Sequence, residues 1–222
     1  RVRVPFGRQM RIGVLTALPE RSELAETRLK EADAVLRDLP PLPAEWFRLC
    51  EFCAAYYHAP LGEVMLSTLP ARLRRIDPPR ARTPRRSART PSPSPAPALT
   101  DEQEAALAVI AGEEGFQPYL LHGVTGSGKT EVYLRLIARA LAAGRQALLL
   151  VPEINLTPQL EERVAARFPE APLVSLHSEL SEAARAQHWR AAFEGAARIV
   201  LGTRLAVFTP LPDLGLIIVD EE

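Results

Sequence analysis

Residues 123–130 read GVTGSGKT and fit G-x-x-x-x-G-K-[ST] at every fixed position. A phosphate chain binds where several backbone N–H groups converge, and glycines let the main chain curl closely enough to present them. Gly123, Thr125, Gly126, Ser127 and Gly128 therefore form the expected cradle, Lys129 the expected holder of the β and γ phosphates, and Thr130 a Mg²⁺ ligand. A second chemical stretch lies about 90 residues further on, where the apolar run Leu214–Val219 leads into Asp220-Glu221-Glu222. Carboxylates at the carboxyl end of a parallel strand face the crevice that holds such a loop. Asp220 is expected to bind Mg²⁺ directly or through water, and Glu221 to polarise an attacking water. Thr100 and Gln103 fit a capping box, and a Gln fixed in that way is also a candidate to read an adenine edge. ATP and Mg²⁺ are the cofactors these residues imply.

The elements that must position them follow from hydropathy. Tyr119 to Leu121 is the expected strand entering the loop, and Glu131 to Leu141 has helical spacing, which would set the phosphates at a helix N-terminus. Gln146–Val151, Leu173–Leu176, Arg198–Leu201 and Leu214–Val219 are short apolar runs separated by helical segments, the pattern of a parallel sheet wrapped by helices. The front differs. Arg1–Pro5 and Arg11–Ala17 read as strands around a Phe6-Gly7-Arg8 turn, and Glu23–Leu39, Pro43–Tyr57 and Gly62–Leu69 carry helical spacing, giving a small α+β module. Residues 76–98 hold seven prolines, five arginines and three serines, which predicts an extended or disordered linker between units that move independently. The expected domains are 1–75, a linker over 76–98, and 99–222.

No apolar run approaches the ~18 residues of a membrane span, so no membrane partner is expected and the cytoplasm is the default location. Cys50 and Cys53 form a lone C-x-x-C in a helical, apolar stretch, from which no four-thiolate zinc site can be built; they read as core thiols. The net charge of zero hides an asymmetry: residues 1–75 carry 12 basic and 9 acidic side chains, and residues 99–222 carry 10 and 17. A basic front suits a nucleic-acid partner. Lysine occurs only at Lys30 and Lys129 among 27 basic residues. At Lys129 a compact ammonium fits between phosphates where a planar guanidinium does not.

Three further stretches, VPEINLTPQ at 151–159, LHS at 176–178 and IVLGTRLAVFTP at 199–210, join the phosphate loop and the acidic stretch in resembling the PriA-type primosomal replication-restart helicases of superfamily 2. RVRVPFGRQ and AAYYHAPLGEV extend the resemblance to the front module, which is similar to that family's domain for binding DNA 3′ ends. The resemblance implies an α/β fold, a P-loop RecA-like parallel-sheet motor lobe, incomplete, behind a small α+β DNA-binding module. It implies a 3′-to-5′ DNA helicase that recognises stalled or branched forks and reloads the replication machinery, with primosome proteins and single-strand-binding protein as partners. By the matched motifs Gly202, Thr203, Arg204 and Thr157 would touch single-stranded DNA, and Gly7 and Lys30 would line the 3′-end pocket. The family's winged-helix domain, second lobe and zinc-binding cysteines have no counterpart in these 222 residues, so the chain alone is expected to bind nucleotide weakly without unwinding DNA. A transporter ATPase lacks support, because no Ser-Gly-Gly-Gln-like signature separates the two motifs. A non-catalytic fork-binding scaffold is the alternative.

Overall fold

The structure, a computed structural model, describes residues 1–75, 97–110, 115–124, 126–152 and 158–220. Thr125, Thr157, Glu221 and nearly all of the proline- and arginine-rich stretch lie outside the described residues.

Val2–Phe6 (β1) and Gln9–Gly13 (β2) form an antiparallel hairpin through a two-residue turn at Gly7 and Arg8, with Phe6 opposite Gln9. The second strand thus starts earlier than Arg11 and ends at Gly13 rather than Ala17. The helix expected over Glu23–Leu39 is not formed. That stretch holds a single 3-10 turn, Glu26–Arg28, and the short strand Ala34–Val35 (β3), which pairs with the free edge of β1. Helical spacing stabilises a helix only where the apolar stripe finds something to cover it. Here Leu24 and Leu29 are half exposed, while the backbone on either side of β3 bonds to β1, Asp33 N–H to Arg3 O (2.9 Å) and Leu36 N–H to Arg1 O (2.9 Å). Ala44–Tyr56 (α1) and Leu61–Thr68 (α2) are helices as expected, each started by a proline just before its first residue.

Asp101–Ile110 (α3) and Lys129–Ala142 (α4) flank the phosphate loop, and beyond them the parallel sheet assembles. In chain order come Gln146–Leu150 (β4), Pro158–Arg167 (α5), Leu173–Leu176 (β5), Glu182–Phe193 (α6), Ile199–Gly202 (β6) and Leu214–Val219 (β7). The order across the sheet is β5-β6-β4-β7, all parallel, with Leu149 of β4 beside Leu201 on one edge and Ile218 on the other. Tyr119–Leu121, expected as a strand, pairs with none of these strands, and Leu120 is 88% exposed.

Side chains alternate across a strand, and β4 shows what each face buries. Ala147, Leu149 and Val151 meet Leu134 and Ile137 of α4 and Val164 of α5. Leu148 faces the other way, into a cluster with Val200, Trp189 and Phe193 of α6. That second cluster continues into Trp46 and Cys50 of α1, Met65 of α2, Leu69 and Leu73, so the front helices and the lobe share one apolar core. The expected independent motion of the two units is therefore corrected: large aromatic residues bury together across the boundary, and separating them would expose that area to water. Cys50 is fully buried there, and burial pushes its thiol up to about 11, as suits a core thiol.

One polar side chain is completely enclosed by the lobe. Gln146 Nε2 donates to Ala192 O (3.0 Å) and Ala197 O (2.7 Å), and its Oε1 accepts from Asp213 N–H (3.0 Å), so it joins the end of α6 to the segments entering β6 and β7. Gln146→Leu keeps the volume but takes the side-chain partner from Ala197 O and Asp213 N–H, while Ala192 O keeps the N–H of Gly195 (3.2 Å), which costs on the order of 2 kcal/mol and lowers Tm by roughly 4–8 °C. Thermal unfolding followed by circular dichroism checks this, and an unchanged Tm would contradict the role assigned to the amide.

Candidate nucleotide and nucleic-acid site

In the phosphate loop Ser127 N–H donates to Val124 O (3.1 Å), and the loop hands over to α4 at Gly128, whose φ of +82° lies in the left-handed region. A Cβ at Gly128 would also stand 2.5 Å from Gln103 Nε2, so the position excludes side chains on two counts. Lys129 folds back over the loop, its Nζ donating to Gly123 O (2.6 Å) and Val124 O (3.3 Å). Thr130 follows in the first turn of α4, half-buried beside Lys129.

Gln103 forms the anticipated capping box, its Oε1 accepting from Thr100 N–H (3.0 Å) and its own N–H donating to Thr100 Oγ1 (3.3 Å). The amide's other end reaches the phosphate loop, Nε2 donating to Gly128 O (3.3 Å). The side chain thus clasps α3 to the phosphate loop.

Asp220 stands immediately beyond β7, its N–H donating to Leu150 O (2.9 Å). Its Oδ1 accepts from the hydroxyl of Tyr133 (2.8 Å), one helical turn along α4 from Lys129. The carboxylate is thereby brought toward the N-terminal end of α4. The same rim carries the second group of candidates. Val151 N–H donates to Gly202 O (2.9 Å) and Thr203 N–H to Leu176 O (3.1 Å), so the backbone bonds run across the carboxyl ends of all four strands. Gly202 ends β6, where a Cβ would lie 2.2 Å from that of Ala206, and the exposed Arg204 opens a 3-10 turn, Arg204–Phe208. Lys129, Thr130, Asp220, Gly202, Thr203 and Arg204 therefore gather on the carboxyl edge of one sheet. Gly7 and Lys30 do not join them; both are exposed on the front module, at the hairpin turn and just past the 3-10 turn.

Four residues that the sequence motifs did not single out organise this edge. Tyr133 is one. Glu131, almost fully buried in the first turn of α4, pairs with Arg167 at the end of α5 through two oxygens (2.9 and 2.7 Å) and with Arg135 (2.9 Å), while Arg135 also donates to Pro97 O (2.9 Å). Burial alone would raise the Glu131 carboxyl, but the hydrogen bonds from Arg167 and Arg135 outweigh it and hold the group below the ordinary carboxylate range. Its contribution to stability is therefore complete above the ordinary carboxyl range and is lost as pH falls through the depressed value. The spacing of Glu131 and Arg135 is the i,i+4 pattern readable from sequence, whereas Arg167 comes from a separate helix and leaves no local signal. Among the described residues no three His, Cys, Asp or Glu side chains cluster as a metal centre, and no helix is long and apolar enough to cross a membrane.

Comparison with known proteins places both parts. Residues 1–70 match the family described as 3′DNA-binding domain (3′BD), and residues 100–222 match the DEAD/DEAH box helicases. A replication restart protein PriA from Synechocystis sp. is 52% identical over 129 residues, 58% of this chain and 15% of that relative. PriA proteins from Haemophilus influenzae and Treponema pallidum match along 100% of the chain at 33% and 34% identity, and the chain covers 40% and 34% of their respective lengths. The chain thus spans less than half the length of these curated relatives. Its parallel sheet, its phosphate loop and the carboxylate after β7 all fall within the helicase match, and the chain belongs to the DEAD/DEAH box helicase family.

Proposed function

We propose that this chain carries the DNA-end-reading module and the nucleotide-binding lobe of an ATP-dependent 3′-to-5′ DNA helicase, one that recognises stalled or branched replication forks and promotes primosome assembly in replication restart. The observation that supports this most directly is the shared rim: Lys129 and Asp220 at one end of the sheet's carboxyl edge, Thr203 and Arg204 further along it. A change at the nucleotide has a rigid strand edge through which to reach DNA.

ATP would bind with its phosphates on the loop backbone at residues 123–128 and on Lys129, exchanging two neutral carbonyl partners for anionic oxygens, which form stronger charge-assisted bonds. Mg²⁺ is suited to this donor set, since it takes few protein oxygens and completes its shell with phosphate and water. Thr130 and Asp220 are its ligands in this reading, and when bound it neutralises charge developing on the transferred phosphoryl group. Glu221 polarises the attacking water. Gln103 both caps α3 and faces the adenine. Gly202, Thr203, Arg204 and Thr157 hold the backbone of single-stranded DNA, and Gly7 and Lys30 receive a 3′ end on the front module. The division we propose is 1–75 for that module, 76–98 for a linker and 99–222 for the lobe. Primosome proteins and single-strand-binding protein are the partners, the cytoplasm the location, and any zinc site is built from residues other than these.

ATP turnover by the natural polypeptide that carries this sequence, measured with and without forked DNA ending in a 3′ hydroxyl, tests the reading. Fork-stimulated turnover that falls at least 100-fold in Lys129→Ala is expected, on the order of other such electrostatic contributions. Tight fork binding without turnover would instead favour a non-catalytic scaffold. The Tyr133 contact gives a second expectation. Tyr133→Phe leaves Asp220 without its orienting donor and should raise the Mg²⁺ concentration needed for half-maximal binding of a fluorescent ATP analogue on the order of 10-fold. An unshifted Mg²⁺ titration would remove Tyr133 from the site.

A further inference from the structure

Glu131 presents an electrostatic problem that the proposed nucleotide site does not absorb. It lies two residues after Lys129, about 3 Å along the helix axis. A carboxylate so close to the phosphate-binding end of α4, and almost fully buried, repels an incoming triphosphate through protein rather than through water. A negative residue in the first turn suits an empty helix N-terminus, but it competes with a phosphate for that end. The geometry shows how this is offset. Arg167 holds both carboxylate oxygens and Arg135 holds one, so the group of three carries one net positive charge.

Arg135 is fixed from its own helix and by Pro97 O, whereas Arg167 reaches in from α5. The pair also turns the carboxylate to the α5 side of α4, while Tyr133 of the same helix bonds Asp220. A cavity of about 580 Å³ opens beside it, lined by Glu131, Arg167, Gln159, Glu162 and Arg163. Through it the guanidinium can be hydrated, or can swing to Glu162, if its bond to Glu131 is removed.

We propose that Arg167 is a positioning residue for the nucleotide: it holds and neutralises the Glu131 carboxylate, so that the end of α4 stays net positive toward the phosphate chain and discriminates between nucleotides by phosphate charge. The proposal rests on the phosphate-loop reading above. Its signature is an effect that grows with the number of phosphates and disappears when the carboxylate is also neutralised. Neither follows if the ion pair serves only to hold α4 against α5.

The test is equilibrium binding of fluorescent ATP, ADP and AMP analogues to the natural polypeptide and to its Arg167→Gln, Glu131→Gln, doubly substituted and Lys129→Ala forms. Arg167→Gln should weaken ATP on the order of 10-fold, ADP less and AMP least, as expected for one unmasked charge at close range. The double substitution should return ATP to within about 3-fold of the natural protein, since the repelling charge is gone. Glu131→Gln alone, which covers the case that Arg167→Gln does not fold, should tighten ATP relative to ADP because both guanidiniums remain. Equal losses for all three nucleotides, a double substitution no better than Arg167→Gln, or Glu131→Gln leaving the ATP-to-ADP ratio unchanged would each overturn the proposal. Lys129→Ala separates the two levels: if it binds ATP like the natural protein, the phosphate-loop reading itself fails and the inference falls with it.

Discussion

Strand β4 is bonded along both edges and covered on both faces, and the site's elements depend on that burial. β6 and β7 take their register from it, α4 and α5 pack against Leu149 and Val151, and Leu148 anchors the layer containing α6. A parallel strand in this position must be apolar at nearly every residue, which explains why Gln146 is admitted only with all three of its bonds made. Because registers are fixed from the buried side, the carboxyl ends finish level with one another. Asp220, Val151 and Thr203 then bond in sequence to the neighbouring strand, and a crevice with chemistry along its length results.

The same construction explains which elements are legible in the amino-acid sequence. The four sheet strands are legible because double-sided burial leaves unbroken apolar runs, and the phosphate loop because its glycines and lysine answer to a backbone geometry with few solutions. Glu23–Leu39 misleads for the converse reason. Its apolar residues Ala25, Leu29, Ala32, Leu36 and Leu39 repeat at helical spacing, but the competing partner is the edge of β1, distant in sequence, and local periodicity carries no record of such an edge. Tyr119–Leu121 shows the same limit, since an apolar run becomes a strand only beside another strand, and none of those described pairs with it. Tyr133 and Arg167 leave no trace in the sequence because their roles depend on which elements meet, not on any residue near them in the chain.

Packing between the front helices and the lobe fixes one part against the other. Trp46, Met65, Leu69 and Leu73 share a cluster with Trp189 and Phe193, and α6, which carries those aromatics, packs on β5 and β6 from behind. Two polar contacts cross the same boundary: Arg190 of α6 donates to Asp38 O, and Arg75 meets Glu182 at the start of α6 (3.0 Å), while Arg1 pairs with Asp38 within the front module (2.6 Å). The pair of Arg75 and Glu182 is exposed and contributes little by itself, so the apolar contact decides the geometry. The front module is thus fixed relative to the strands whose carboxyl ends lead into Val151, Thr203 and Asp220.

Arginine and lysine divide the work on chemical grounds. Arg167 spans both oxygens of Glu131, Arg185 gathers His177 O and Ser178 O, and Arg1 engages both oxygens of Asp38. Arg167 does so with both terminal nitrogens of its planar fork, which braces α5 against α4. Lys129 braces nothing of that kind. Its ammonium rests on two carbonyls of its own loop, partners weaker than any phosphate oxygen, at the end of a stem with four rotatable carbons. A guanidinium there would span the loop and resist leaving it, whereas an ammonium can exchange one set of acceptors for another. In a chain with 25 arginines, that need to release as well as to bind is a physical reason for lysine at position 129.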